Sequence, residues 1–262
     1  MLFVISPAKA LDYESPIPQV EHTKPLFAKQ AAELIEVLRE KSPQQIAELM
    51  DLSDALSTLN VARYQAWSSR FTAKNSREAV FAFDGDVYDG LQARHMAAPQ
   101  LEWLPDHLRI LSGLYGVLRP FDRMQAYRLE MGTSLVTDKG KNLYQFWGKT
   151  IAQHLQNELD AQDNPVLVNL ASMEYFKSVD LKTIKAPVIE CVFQEDRAGA
   201  WKVVSFMAKR ARGLMTRFAA EQGIDRVDGL KGFNLEGYAF DKKASTAGKW
   251  LFRRRADMAR GL

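Results

Sequence analysis

The sequence predicts an α/β fold: a single mixed-sheet, α+β-like domain of uncommon topology over residues 1–262, with helices around the sheet. Three observations point there. Apolar runs of strand length recur along the chain, segments of helical periodicity lie between them, and the two kinds alternate too irregularly for a regular doubly wound sheet. No internal repeat, low-complexity tract or Gly/Ser linker marks a domain boundary.

Leu2 to Ile5 reads as the first strand and runs directly into Ser6-Pro7-Ala8-Lys9. Lys9 therefore belongs at a strand's carboxyl end, where sheet proteins tend to place their sites; a surface lysine in a stiff loop is the plain alternative. Leu26 to Arg39 carries Leu26, Ala31, Leu34, Ile35 and Leu38 at helical spacing. Ser42-Pro43-Gln44-Gln45 reads as a helix start, with Ser42 as cap, Pro43 at the first position and Gln45 three after the cap. Asp51 to Trp67 also reads as helix.

Ala79 to Phe83 predicts a second strand feeding Asp84-Gly85-Asp86-Val87-Tyr88-Asp89-Gly90. Its three carboxylates suit a hard cation through oxygen ligands, but the calcium-loop pattern is incomplete and an acidic turn is the better reading. Pro105 to Gly132 predicts an apolar helix, a short turn closed by Gly113 and Gly116, and a second apolar helix. That is the layout of a helix-hairpin-helix, whose backbone N–H groups grip a phosphate without reading sequence. Two residues separate these glycines where the motif usually has one, so a packing unit of two helices stays open. Arg119, Arg123 and Arg128 supply charge nearby.

Leu143 to Leu159 predicts a helix. Val166 to Leu170 predicts a strand that runs into Ser172, a helix cap, with Glu174, Tyr175 and Lys177 in the next turn. Lys9, Lys177 and Glu174 form a set of acid, base and nucleophile if these strands lie side by side, with Asp86 as a further acid. Val188 to Phe193, Val203 to Phe206 and Lys249 to Arg253 complete the predicted strands.

The 47% hydrophobic and 26% charged composition is that of a globular chain able to bury a core. Cys191 sits in an apolar run and has no second cysteine to pair with, which predicts a reducing, cytoplasmic setting and a packing role. Met1 to Pro7 has no basic flank or cleavage-like site, and no run approaches the ~18 apolar residues of a membrane span. His22, His95, His107 and His154 fit no metal-ligand spacing, so no metal and no cofactor is expected. GxGxxG, Walker, GxSxG and HExxH motifs are absent from the sequence.

The net charge of +3 conceals an asymmetry. Residues 200–262 carry 14 Lys and Arg against six acids, +8, which leaves −5 for the first 199. A polarised chain of this kind attracts a polyanion, with nucleic acid the leading candidate. From Met207 to Phe218 the apolar residues Met207, Ala208, Ala211, Leu214, Met215 and Phe218 share one helical face, and Lys209, Arg210, Arg212 and Arg217 share the other. Such a face neutralises phosphates. The alternative for Arg253-Arg254-Arg255 and the remaining tail is a solvated, frayed end.

Nine blocks then carry a resemblance: Ser-Pro-Ala-Lys at 6–9, Phe-Asp-Gly-Asp-Val-Tyr at 83–88, Leu-Ser-Gly-Leu-Tyr-Gly-Val-Leu-Arg-Pro at 111–120, Tyr-Arg-Leu-Glu-Met-Gly at 127–132, Leu-Tyr-Gln-Phe-Trp-Gly at 143–148, Asn-Leu-Ala-Ser at 169–172, Glu-Tyr-Phe-Lys-Ser-Val at 174–179, Ala-Lys-Arg-Ala-Arg-Gly-Leu-Met at 208–215 and Gly-Phe-Asn-Leu-Glu-Gly-Tyr at 232–238. In this order they closely resemble the YaaA peroxide-stress family. The resemblance implies a bacterial cytosolic protein that limits unincorporated iron under hydrogen peroxide stress and binds duplex DNA. It also implies an uncommon mixed α/β fold with a positively charged cleft and a hairpin motif of the kind found in repair proteins.

Two functions are expected. The first is sequence-independent binding of double-stranded DNA by the helix around Lys209 to Arg217, the hairpin from Gly113 and Gly116 to Arg119 and Arg123, and Lys9 and Lys177. The second is an enzyme acting on DNA or nucleotides, with Lys9 or Lys177 as nucleophile or phosphate holder and Glu174 or Asp86 as acid and base. Iron sequestration by Asp84, Asp86 and Asp89 is disfavoured by the lack of soft or imidazole ligands.

Overall fold

The computed structural model describes residues 1–255. Its centre is an eight-stranded mixed sheet: β1 (Leu2–Ile5), β2 (Leu108–Ser112), β3 (Gly116–Leu118), β4 (Leu167–Leu170), β5 (Val188–Arg197), β6 (Ala200–Lys202), β7 (Ala239–Phe240) and β8 (Lys249–Arg254). The spatial order is β7-β8-β5-β4-β1-β2-β3, with β6 paired to β5. Strands β2, β1, β4, β5 and β8 run parallel, and β3, β6 and β7 pair antiparallel at the margins.

β1 is buried along its whole length, as a central parallel strand covered on both faces should be. Its neighbours are β2 on one side and β4 on the other. From β1 the chain passes first to one flank and later to the opposite one. In open parallel sheets the crevice at the carboxyl ends, where that direction reverses, is where ligands bind.

The helices are α1 (Ala28–Arg39), α2 (Pro43–Met50), α3 (Asp54–Ala66), α4 (Asp86–Leu91), α5 (Ala98–His107), α6 (Leu143–Trp147), α7 (Thr150–Asp160), α8 (Met173–Phe176) and α9 (Ser205–Glu221). Ser42 makes the expected capping box with Gln45, its hydroxyl accepting from the Gln45 N–H. Ser53, two residues after the predicted start at Asp51, caps α3, because Asp51 itself takes the left-handed turn that closes α2.

Four local expectations are corrected. Ala79–Ala82 is one helical turn, followed by a two-residue strand at Phe83–Asp84; a fully buried run of this length has no periodicity to distinguish the two. Val203 to Phe206 is the junction of β6 and α9. The helix expected over Leu143 to Leu159 breaks at Gly148, whose φ of 48° ends α6. Pro105 to Gly132 holds no helix-hairpin-helix. Its core is the β2–β3 hairpin, with Ile110 opposite Leu118 and Ser112 opposite Gly116.

The tail beyond Arg255 lies outside the described residues. Arg253 and Arg254 are not part of a frayed end: both belong to β8, and Arg254 is fully buried against Glu195, with Nε to Oε2 at 3.0 Å.

Candidate functional site

The carboxyl ends of β1 and β4 are tied together by side chains. Ser6 Oγ accepts a hydrogen bond from the Ser172 N–H at 2.8 Å, and the two hydroxyls lie 3.3 Å apart. Ser172 precedes α8 as expected, but its side chain caps nothing there and faces Ser6 instead. The Ser6 carbonyl in turn accepts from Tyr88 Oη at 3.1 Å, which draws α4 to the same place.

Around this tie lies a crevice lined by Lys9, Tyr127, Arg128, Glu130 and Tyr175. Lys9 Nζ stands 3.1 Å from Glu130 Oε1, and Arg128 shares that carboxylate at 3.2 Å. Two residues on, the Gly132 N–H donates to Glu174 Oε1 at 2.9 Å, and the Glu174 carbonyl accepts from Tyr144 Oη at 3.0 Å. Lys177 lies over the Tyr144 ring, 4.8 Å from its centre. The strands that precede Lys9 and Lys177 are neighbours, and the segment 128–132 at the mouth of the crevice meets Lys9 through Glu130 and Glu174 through Gly132.

The floor is phenolic. Tyr127 Oη and Ser112 Oγ share a hydrogen bond of 2.6 Å at the end of β2. Burial pushes the pKa of Tyr88, Tyr127 and Tyr175 above the ordinary phenol value, so each stays neutral and able to donate.

Lys209 and Asp86 extend the mouth on the α4 side. The backbones of α4 and α9 approach so closely that a Cβ on Gly90 would lie 2.1 Å from the Arg210 carbonyl oxygen, and one on Gly213 1.8 Å from that of Val87. This contact sets Lys209 Nζ 3.8 Å from Asp86 Oδ2. Asp84 pairs with Ala10 across a short ladder, next to Lys9.

The expected cationic face of α9 is largely neutralised. Arg210 forks onto Glu236, with Nη2 to Oε1 at 2.6 Å, and this bond raises its pKa further. Arg217 pairs with Glu221 at 2.6 Å and with Gln92. Arg212 is drawn inward: its Nε finds no partner among the described residues, and desolvation lowers its pKa. Of the four, Lys209 alone keeps a side chain more than half exposed, at 52%. The helix is buried more widely than its apolar stripe predicts, because Gly213 adds a second packed side against α4.

Gly113 and Gly116 are buried, so their N–H groups offer no grip to a phosphate. The Gly113 carbonyl accepts from Trp147 Nε1 at 3.0 Å, and a Cβ on Gly116 would lie 2.7 Å from the Trp147 ring. Arg119 and Arg123 are separate from the mouth. Arg119 pairs with buried Asp122 at 2.8 Å on a cavity of about 820 Å³ shared with the Arg109–Glu158 pair, and Arg123 pairs with Glu78 at 3.2 Å. Asp84, Asp86 and Asp89 do not form a metal cage, and no group of three or more His, Cys, Asp or Glu able to hold a metal occurs among the described residues. Cys191 is buried, and desolvation raises its pKa, so it is held as the unreactive thiol.

Sequence reasoning missed the centre of this arrangement, Tyr127, Glu130 and the Ser6–Ser172 tie. The available signal was polar residues embedded in a buried stretch, Gln125 to Met131, where each must find a partner.

Among known proteins, a family model described as "Peroxide stress protein YaaA" matches residues 1–244. The chain is 62% identical over 255 residues to a UPF0246 protein of Polaromonas sp. (strain JS666 / ATCC BAA-500), covering 97% of this chain and 99% of that protein. It is 60% identical to UPF0246 protein Bpet1601 of Bordetella petrii, over 98% of this chain and 100% of that one. It is 59% identical to a UPF0246 protein of Albidiferax ferrireducens, over 99% and 100%.

Proposed function

The chain belongs to the peroxide stress protein YaaA family, and from that premise we propose that it serves the hydrogen peroxide response by binding the phosphate backbone of duplex DNA. One observation carries the reading: at the mouth the lysines are accessible, whereas the arginines of α9 are committed to internal partners or drawn inward. Lys9 is 68% exposed along its side chain, Lys209 52%, and Lys177 is exposed above Tyr144.

The energetics favour exchange at these positions. An exposed lysine–carboxylate pair such as Lys209–Asp86 contributes about 0–1 kcal/mol, and Glu130 keeps Arg128 when Lys9 leaves it, so a phosphate can take either lysine at little cost. A partly buried, forked pair such as Arg210–Glu236 is not exchanged so readily. Three phosphate contacts by ammonium groups release counterions and do not read bases.

The test is a salt titration of affinity for a labelled duplex. Lys9→Ala/Lys177→Ala/Lys209→Ala should lower the log-log salt slope by about 2.7, at about 0.9 per contact. Arg210→Ala should leave the slope near that of the unaltered protein. A triple variant with unchanged slope and affinity overturns the proposal.

A second reading is supported by the Lys9–Glu130 pair above neutral phenols: an enzyme acting on DNA or nucleotides, in which Lys9 attacks a carbonyl carbon such as that of an abasic site. Loss of water from the carbinolamine then yields the imine, with Glu130 or Glu174 moving the proton. Borohydride trapping of a covalent adduct that Lys9→Ala abolishes supports it; absence of any adduct rejects it.

A further inference from the structure

The end of the sheet where β7 forms the edge beside β8, with β6 beyond β5, gathers aromatic rings and cations away from the residues of the mouth. Trp201 is 37% exposed, with the Arg253 guanidinium 4.8 Å from its ring centre. Phe240 meets Trp250 with ring centres 5.7 Å apart, and Lys231 Nζ lies 4.7 Å over Trp250 and 5.8 Å over Phe240. Two shallow concavities of about 440 and 550 Å³ flank this edge and share Phe240 and Lys242.

Cations outnumber acids on this edge, although Asp196 lies across from Trp201. Arg253 pairs with Asp241 at 2.6 Å and Lys231 with Asp228. Among the described residues no ion pair is formed by Lys202, Lys242, Lys243 or Arg255, all of them exposed. This edge holds much of the carboxyl-terminal positive charge that the sequence places after residue 200.

We propose that this edge binds single-stranded DNA, with an unstacked base against Trp201 and phosphates on Lys242, Lys243 and Arg255. An exposed ring set among cations, Trp201 with Lys242, Lys243 and Arg255 around one concavity, matches a polymer that alternates planar bases with phosphates. A duplex keeps its bases stacked inside and leaves the ring unused; a polyanion without bases gains only the cations. The surface and its ligand are additional to the duplex contacts of Lys9, Lys177 and Lys209, and share no residue with them.

The test compares binding of an oligothymidylate of about 20 nucleotides, an abasic strand of the same length, and a duplex, by fluorescence anisotropy. Trp201→Ala should weaken oligothymidylate binding about tenfold and leave the abasic strand and duplex unchanged, since stacking is lost and charge is not. Lys242→Ala/Lys243→Ala should lower the single-strand salt slope by about 1.4. Trp201→Phe, which keeps a ring, should retain most of the affinity, and unchanged unfolding transitions exclude a folding defect. Equal affinity for the abasic strand and oligothymidylate, or an unaltered affinity in Trp201→Ala, overturns the proposal. The Lys9/Lys177/Lys209 variant should still bind the single strand, so failure of the duplex reading and failure of this one are told apart.

Discussion

Ser6 Oγ accepts the Ser172 N–H at 2.8 Å across the carboxyl ends of two adjacent parallel strands, 166 residues apart in sequence. That bond closes the β1/β4 switch point and fixes where the chain turns toward Lys9 on one side and Lys177 on the other.

Replacing Ser6 by Ala leaves the Ser172 N–H without its acceptor in a largely buried place. The expected loss is about 1–3 kcal/mol of stability, read from the urea midpoint at unchanged slope. Duplex affinity should fall as well, because the two lysine loops are no longer held together. An unaltered midpoint would show that the tie does not hold the strand ends.

Gly213→Ala forces a Cβ to within 1.8 Å of the Val87 carbonyl oxygen, with no flexible side chain to yield. Separation of α4 from α9 should destabilise the protein by more than the ~1–3 kcal/mol of ordinary overpacking. It should also displace Lys209 from Asp86. Thermal unfolding near that of the unaltered protein would show that the helices are less tightly docked.

Arg254 is fully buried, bonded to Glu195, which also accepts from Tyr238 Oη, and 3.6 Å from Glu236. Arg254→Met leaves a buried carboxylate uncompensated, at about 3–5 kcal/mol. Adding Glu195→Leu should recover much of that loss, since both charges are then gone. Equal stability of the single and double variants would contradict it.

His107 stacks on Trp103 at 4.1 Å and its Nδ1 lies 2.9 Å from the Met1 carbonyl. Burial lowers its pKa in the folded state, only partly offset by that carbonyl. The unfolded chain therefore takes up the proton first, and stability present above about pH 6.5 is lost as pH falls through the lowered folded value. His107→Gln should flatten the fall in urea midpoint between pH 7.5 and 5; an equally steep fall would assign it to other groups.

The sheet was legible where apolar runs are buried on both faces, as at Leu2 to Ile5 and Leu167 to Leu170, and also at Val188 to Phe193, whose burial alternates along the strand. The same rule misled at Leu108 to Leu118, where two buried runs around Gly113 and Gly116 fit helices or strands equally, and tertiary packing on Trp147 decided for a β-hairpin. Lys9, Glu174 and Lys177 were visible as residues at strand ends, but the contact between their loops, Ser6 with Ser172, depends on β1 and β4 being neighbours, a fact of strand order. The arginines of α9 were misread because a helical wheel shows one element only. Glu236 and the α4 backbone, which neutralise or bury them, come from other elements; Glu221, four residues after Arg217 on α9 itself, is the one partner the wheel holds.

Duplex binding at the mouth is tested most directly by a lysine footprint: acylate the protein free and bound to duplex DNA, and measure each site by mass spectrometry. Lys9, Lys177 and Lys209 should be protected several-fold on binding, while exposed Lys29 and Lys74 react as before. Equal acylation of the three mouth lysines in the free and the bound protein would contradict it.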